Sequence, residues 1–145
     1  MRTKQLLKAL KFHRATKDVF LGVFASNTLP RIPRRKRVAL IVNTDPAHKP
    51  GQHWCAFYFT PNCVYFFDSY GRPPGTKSFC RLMRSRKYKR VFGRRLQGRG
   101  RVCGYYCMYF VLAMVRNMDF SCFGDDLDAN DRIVRQFVTE HFPVT

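Results

Sequence analysis

Cys103 stands where the basic, glycine-broken segment 96–101 meets eleven uninterrupted apolar residues, 105–115. A cysteine reacts as its thiolate, and the pKa of the thiol falls at a helix N-terminus, where unpaired N–H groups and the helix dipole favour an anion. The position therefore suits an activated nucleophile, and Gly104 leaves room for a substrate backbone. A structural cysteine at a helix start is the alternative, and Cys107 fits that alternative well.

A cysteine nucleophile needs a base, a group that orients the base, and donors for the developing oxyanion. His53 opens one predicted strand and Asp68 lies near the end of the next, and a hairpin turn at 61–62 would bring both to the same end of a sheet. Gln97, six residues before Cys103, could place its amide beside the backbone N–H of the nucleophile. Taken singly, these residues also suit a strand-end histidine, a turn carboxylate and a solvated amide.

The elements that must position these residues follow from hydrophobic periodicity and turn chemistry. They predict an α+β chain with Cys103 at the N-terminus of a buried helix. The predicted helices cover 3–16, 76–90, 103–117 and 125–142, and the predicted strands cover 38–43, 53–59, 63–69 and 91–97. Residues 20–24 are expected to form a buried connection, and 28–37 a proline-punctuated basic loop.

Length and composition indicate one folded domain over residues 1–145, because 46% of the residues are hydrophobic and 15% aromatic, which is too apolar for disorder.

The net charge of +18 predicts an anionic partner, nucleic acid before a membrane surface. Ten basic residues and no acid lie between Arg81 and Arg101. A solvated face and a non-catalytic nucleic-acid-binding module are the alternatives to an enzyme that also contacts DNA. The candidate phosphate contacts are Arg84, Arg86, Lys87, Lys89, Arg90, Arg94 and Arg95.

The six cysteines are expected to be free thiols in a reducing compartment, because the basic N-terminus has no secretory h-region and several cysteines lie inside apolar runs. The apolar run 105–115 is shorter than the roughly 20 residues of a membrane span, so no membrane partner is expected. No metal site is predicted, because His53 with Cys55 and Cys63, or Cys103 with Cys107, lacks the paired spacing of a zinc site.

Five segments, in chain order over roughly residues 20–112, carry a family resemblance: FLGVF, VALIVNT, GQHWCAFYF, YFFDSYG and LQGRGRVCGYYCMYF. Together they resemble the adenovirus proteinase (adenain) and the proteases of Polinton/Maverick transposons, and more distantly the ubiquitin-like-protein proteases. The resemblance implies a mixed β-sheet flanked by helices. It also implies Cys103 as nucleophile, His53 as general base, Asp68 as its orienting acid and Gln97 as oxyanion donor. Adenoviral enzymes carry Glu where this chain has Asp68, and they are longer.

The same resemblance implies a monomeric cysteine endopeptidase that processes viral or mobile-element precursors at Gly-containing sites. Trp54 would pack beside His53, and we place Gly51 and Gly104 with it among the substrate contacts. No cofactor is required for the chemistry, although DNA and a short peptide are possible activators, and the host nucleus and the virion are the expected locations. A deconjugating isopeptidase for ubiquitin-like modifiers is the alternative with the same chemistry.

Overall fold

The computed structural model describes residues 2–48 and 53–142, so Gly51 lies outside the described residues. The sheet is mixed and its five strands follow one another in chain order. These elements bear out the predicted α+β class. The strands are β1 (Phe20–Phe24), β2 (Val38–Asn43), β3 (Trp54–Phe59), β4 (Cys63–Phe67) and β5 (Tyr88–Phe92), and the helices are α1 (Thr3–Phe12), α2 (Lys77–Met83), α3 (Cys103–Arg116) and α4 (Leu127–His141).

The predicted hairpin forms between β3 and β4. The two strands pair antiparallel with Ala56 opposite Phe67, one residue from the predicted register, and β2 pairs antiparallel on the other side of β3. The edge strands β1 and β5 instead run parallel to their neighbours β2 and β4. Because β3 and β4 are antiparallel, the residue before β3 and the residue after β4 meet at one end of the sheet.

Helices cover both faces of the sheet, and the alternation along β3 shows how. Ala56 and Tyr58 point to the face covered by α1, α3 and α4, whereas Cys55, Phe57 and Phe59 point to the face covered by α2 and by Leu29 and Ile32 of the 28–37 loop. Buried strands in a two-sided sheet carry apolar residues at every position, which accounts for the continuous run VALIVN in β2.

Helix α3 lies across the middle of the sheet, where it packs against β3 and α4. Its residues from Tyr106 to Ala113 are all buried. A helix that is apolar on every side is stable only when it is covered on every side, and this is the environment that the 105–115 run predicts. The ring of Phe110 stacks on Phe67 of β4 with 5.0 Å between centroids.

Three predicted elements differ from the structure. Residues 20–24 form an edge strand, because their backbone pairs with β2 across a long loop that local sequence does not reveal. The helix predicted over 76–90 ends at Met83, and the strand predicted over 91–97 is β5, Tyr88–Phe92. The chain turns at Arg86, whose buried guanidinium donates to the carbonyls of Thr60 and Pro33 at 2.9 Å each. Long-range pairing with β4 thus outweighs local helix propensity.

The other helices match their predictions closely. Helix α1 ends at Phe12 and not at residue 16. Helix α4 is capped by Asp126, whose carboxylate accepts the N–H of Ala129 at 3.1 Å. Val134 and Val138 of this helix are buried, whereas Ile133 is 37% exposed. Within residues 2–48 and 53–142, no helix combines the length and apolarity that crossing a bilayer demands.

Candidate active site

The three residues predicted to form a catalytic set line one cleft. His53 immediately precedes β3, Asp68 immediately follows β4, and Cys103 is the first residue of α3. The cleft has a volume of about 800 Å³, and Gln97, Trp54 and Gly104 also line it. The structure therefore brings together six of the predicted site residues that are up to 51 positions apart in the chain.

Asp68 is held by several donors. Its Oδ1 lies 2.7 Å from Nε2 of His53 and accepts the backbone N–H of Tyr70 at 2.8 Å, while Nε of Arg72 lies 3.3 Å from Oδ2. Burial alone would raise the pKa of Asp68, but the hydrogen bond from His53, the Tyr70 N–H and the charge of Arg72 lower it. The side chain is thus a buried carboxylate that is charged and directed at the imidazole.

His53 is 7% exposed, and its Nε2 is hydrogen-bonded to Asp68. Nδ1 is therefore the nitrogen that remains for a thiol. Burial alone would lower the pKa of His53, but hydrogen bonds with Asp68, Cys103 and Cys55 raise the pKa to about 11. The ring is consequently an imidazolium at neutral pH.

Cys103 meets that imidazolium at the start of α3. Burial alone would raise the pKa of its thiol, but the hydrogen bond from His53, the N–H of Trp54 and the N–H of Gly104 lower it. Helix N-terminal N–H groups and a cation are the two features that stabilise a thiolate. Together with His53, this environment favours an imidazolium–thiolate pair. Cys107, one turn further on, is fully buried and its thiol pKa is raised, as expected of a structural cysteine.

Gln97 is buried and its amide orientation is set from both ends. Oε1 accepts the hydroxyl of Ser69, and Nε2 donates to the carbonyl of Gly100 at 2.7 Å. A primary amide has two N–H groups, so one remains for a ligand in the cleft. Among the described residues nothing takes that second N–H.

Two neighbours of His53 were not recognised from the sequence. Tyr70 packs on the imidazole with ring centroids 4.9 Å apart, and the guanidiniums of Arg72 and Arg95 lie 4.9 and 5.3 Å from the centroid of the Tyr70 ring. The thiol of Cys55, the second residue of β3, is hydrogen-bonded to the same imidazole. The sequence signal for this contact was an aromatic residue, Tyr70, in the turn that follows Asp68. A turn at the end of a strand can place its side chains over neighbouring strand-end residues such as His53.

His53, Cys55 and Asp68 also bring three potential metal-ligand atoms within 4.8 Å of one another. The chemistry of this set does not suit a metal centre. Burial raises the pKa of the Cys55 thiol, so a metal would bind here only by displacing that proton. The ring nitrogen and the carboxylate are bonded to each other, and structural zinc needs a fourth ligand.

Six of the seven predicted phosphate contacts are exposed: Arg84, Lys87, Lys89, Arg90, Arg94 and Arg95. The first four lie on the turn after α2 and on β5. Arg86 is a correction: its side chain is 7% exposed and bonds backbone carbonyls, so it stabilises the turn and is not free for a phosphate. Arg94 donates to the carbonyls of Phe123 and Gly124, and Arg95 to that of Gln97.

Comparison with solved structures extends this description. The chain superposes on the crystal structure of the ASFV pS273R protease with a TM-score of 0.66 and 17% sequence identity, over 99% of this chain and 67% of that chain. The chain has the fold of that protease. A selenomethionine structure of the ASFV pS273R protease matches with a TM-score of 0.57 and 20% identity, over 81% of this chain and 47% of that chain.

The chain therefore spans between about half and two thirds of the ASFV pS273R protease chains it matches. At these identities the likeness concerns the fold. No protein-family model matches the chain, and no curated protein matches it in sequence.

Proposed function

We propose that this chain is a cysteine endopeptidase in a single domain over residues 1–145. The observation that carries the proposal is the meeting of Cys103, His53 and Asp68 in one cleft, with the thiol pKa lowered and the imidazole pKa raised to about 11. The fold shared with the ASFV pS273R protease supports it. Each of these residues alone is unremarkable, but their combination is the arrangement that nucleophilic acyl transfer needs.

In the proposed acylation, the Cys103 thiolate attacks the carbonyl carbon of the scissile peptide bond. The oxygen that becomes negative would be bound by the backbone N–H of Cys103 and by the second N–H of Gln97. His53 then gives its Nδ1 proton to the leaving amine as the C–N bond breaks. Asp68 keeps the ring oriented through Nε2 and stabilises its positive charge.

In deacylation, neutral His53 accepts a proton from water, and the resulting hydroxide attacks the thioester carbon. The tetrahedral intermediate collapses with release of the carboxylic acid, and the Cys103 thiolate and the imidazolium are restored. The proton that His53 gives to the amine in acylation is replaced by the proton that it takes from water in deacylation, so the proposed reaction needs no cofactor.

The substrates in this proposal are viral or mobile-element precursor proteins cut at Gly-containing sites, as the resemblance to adenain-like and Polinton proteases implies. Trp54 and buried Gly104 line the cleft beside Cys103. The resemblance also motivates a monomer that acts in the host nucleus and the virion.

Selective alkylation of Cys103 tests the proposed site. At about pH 7, below the usual thiol pKa of about 8.5, we expect iodoacetamide to label half-buried Cys103 faster than exposed Cys122, because of these two cysteines only Cys103 faces an imidazolium. Peptide mapping by mass spectrometry after timed labelling gives the rate at each cysteine.

The control for this experiment is His53→Gln, which should slow labelling of Cys103 and leave Cys122 unchanged. Labelling that simply follows exposure, with Cys122 first, would count against an activated nucleophile. Incubation with Gly-containing peptides and with amide probes of modifier C-termini then separates an endopeptidase from a deconjugating isopeptidase.

We also propose that the exposed basic residues around β5 bind nucleic acid through phosphates. Lys89 and Arg90 lie on this edge strand, with Arg84 and Lys87 beside them. No acidic residue occurs between Arg81 and Arg101, and although Arg94 and Arg99 pair with Asp125 and Asp128, no ion pair within the described part of the chain involves the four residues of this surface. DNA bound here would hold the enzyme near its substrates. DNA and a short peptide are proposed as activators, not as participants in the chemistry.

Charge reversal tests the nucleic-acid surface. The double variant K89E/R90E should weaken binding to a short DNA duplex at low salt, and it should reduce the slope of log affinity against log salt by about 2. Fluorescence anisotropy over a salt series measures both. The matched control is K4E/K17E, which changes the net charge equally at exposed positions on α1 and after it. An equal loss in both variants would assign the effect to overall charge and not to this surface.

A further inference from the structure

The segment from Leu96 to Gly100 is held between the end of β4 and helix α4. On the first side, the carbonyl of Ser69 accepts the N–H of Leu96 at 2.8 Å and that of Gln97 at 3.0 Å. On the second side, Asn130 of α4 donates from Nδ2 to the carbonyl of Leu96 at 3.1 Å. The backbone that carries Gln97 is therefore bonded on both flanks.

Asp131 of α4 is the centre of the second set of bonds. Its side chain is 6% exposed, and it accepts three hydrogen bonds. Oδ1 accepts the N–H of Gly98 at 3.0 Å and the hydroxyl of Tyr106 at 2.7 Å, and Oδ2 accepts the N–H of Gly100 at 2.9 Å. Burial and the Asp131 carboxylate both raise the pKa of Tyr106, so its hydroxyl stays protonated and remains a donor.

Only a carboxylate satisfies this arrangement. Both oxygens of Asp131 accept hydrogen bonds. An asparagine at 131 has an NH₂ group in place of one oxygen, so in either orientation of the amide this NH₂ group would face another donor. A donor facing a donor in a buried site costs more than a lost hydrogen bond, and the backbone N–H groups of Gly98 and Gly100 cannot turn to another acceptor. The Tyr106 hydroxyl, by contrast, also reaches the carbonyl of Leu96 at 3.2 Å. The bonds to Gly98, Gly100 and Tyr106 therefore require a carboxylate at position 131, whereas the formation of helix α4 does not.

The glycines of the segment fit the same contact. A Cβ at Gly98 would lie 2.6 Å from Oδ1 of Asp128 and 3.0 Å from the backbone carbon of Leu127, and a Cβ at Gly100 would lie 2.9 Å from Oδ2 of Asp131. A side chain at Gly98 would push the segment away from the α4 backbone, and one at Gly100 would displace the Asp131 carboxylate. The Gly-x-Gly pattern at 98–100 is thus explained by close approach to the helix.

We propose that Asp131 is a positioning residue for the oxyanion donor. It fixes the N–H of Gly100, the carbonyl of Gly100 holds one N–H of Gln97, and the other N–H of Gln97 is thereby directed into the cleft. Asp131 touches neither the nucleophile nor the substrate. The inference rests on the proposed function, because it concerns the geometry of the proposed oxyanion site.

Two reactions of the same cysteine separate this role from a structural one. Peptide hydrolysis passes through an oxyanion, whereas alkylation by iodoacetamide displaces iodide and needs only the thiolate. For Asp131→Asn we expect kcat for a Gly-containing peptide to fall about 10- to 100-fold with KM little changed, since a displaced oxyanion donor acts in the transition state. The alkylation rate of Cys103 should stay within about twofold of wild type, because the thiolate stabilisers are untouched.

A second variant and a control keep the test decisive. Gly100→Ala leaves α4 intact but inserts a Cβ against Asp131, so it should reproduce the loss of kcat with normal alkylation. Asp126→Ala removes only the cap of α4, so it should lower the melting temperature without changing kcat.

Three outcomes would overturn the inference: unchanged kcat in Asp131→Asn, an equal fall in alkylation and hydrolysis, or an equal loss of kcat in Asp126→Ala. A wild-type protein that alkylates at Cys103 yet hydrolyses no peptide would overturn the proposed function, and the positioning role with it. Loss of kcat confined to the Asp131 and Gly100 variants supports both.

Discussion

Replacement of Cys103 by alanine should remove peptide hydrolysis, with a fall in kcat of at least about 10⁴-fold. The reason is that the thiolate of Cys103 is the only proposed covalent nucleophile, and the remaining oxyanion donors and the cleft can only bind the substrate. Initial rates with a Gly-containing peptide, measured on purified protein, give the ratio. A circular dichroism spectrum matching wild type would show that the loss is chemical.

Cys107→Ala is the matched control for this prediction. Cys107 lies one turn further along α3 and is fully buried, so its replacement should cost about 1 kcal/mol of stability through a small cavity and leave turnover near wild type. Turnover retained in Cys103→Ala, or lost equally in Cys107→Ala, would contradict the assignment of the nucleophile.

Asp68→Asn should have the second-largest effect, a fall in kcat of about 10²- to 10⁴-fold. The carboxylate accepts the Nε2–H of His53 and the N–H of Tyr70, both at Oδ1. An asparagine at 68 can keep both bonds through its single oxygen, but its NH₂ group then faces Nε of Arg72 in place of Oδ2, and it supplies no negative charge to stabilise the imidazolium. Steady-state kinetics on the variant measure the loss, and Asp18→Asn is the control, since it makes the same change at an exposed position.

The pH dependence gives an independent check on Asp68. The imidazolium–thiolate pair exists between the lowered thiol pKa of Cys103 and the raised imidazole pKa of His53, about 11. Apart from burial, which acts in the opposite direction, the hydrogen bond with Asp68 is the foremost cause of the raised value. Hydrolysis, unlike alkylation, also needs the imidazolium, because His53 gives the leaving amine its proton, so in Asp68→Asn the upper pH limit of kcat should move to lower pH. An unchanged upper limit would show that Asp68 does not hold the proton on His53.

The placement of Cys103 could be predicted because its signal is local. An apolar run preceded by a glycine-broken basic segment can only begin a buried helix, and the first residue of that helix has free N–H groups. His53 and Asp68 followed from hairpin logic, since antiparallel strands return the chain to the same end of a sheet. An error of one residue in the register did not matter, because both side chains lie beyond the paired positions.

The contribution of α4 could not be predicted in the same way. Asp131 is one of four aspartates between 125 and 131, all of which suit the start of a helix by charge. Asp126 does cap the helix, but Asp131 accepts bonds from a segment more than 30 residues earlier in the chain. Arg86 was misassigned for a similar reason, because one arginine within a basic stretch looks like the others until its carbonyl partners at Thr60 and Pro33 are known.

The sequence by itself determined which side chains had the chemistry and which elements carried them, because helix starts, hairpins and apolar runs depend on neighbours along the chain. Only the tertiary structure decided the burial that shifts the pKa of His53 and Cys103, the edge position of β1 and the contact between Asp131 and the Gln97 segment. These features depend on distances between residues remote in sequence. Such distances are set by packing of the whole chain, and no local pattern encodes them.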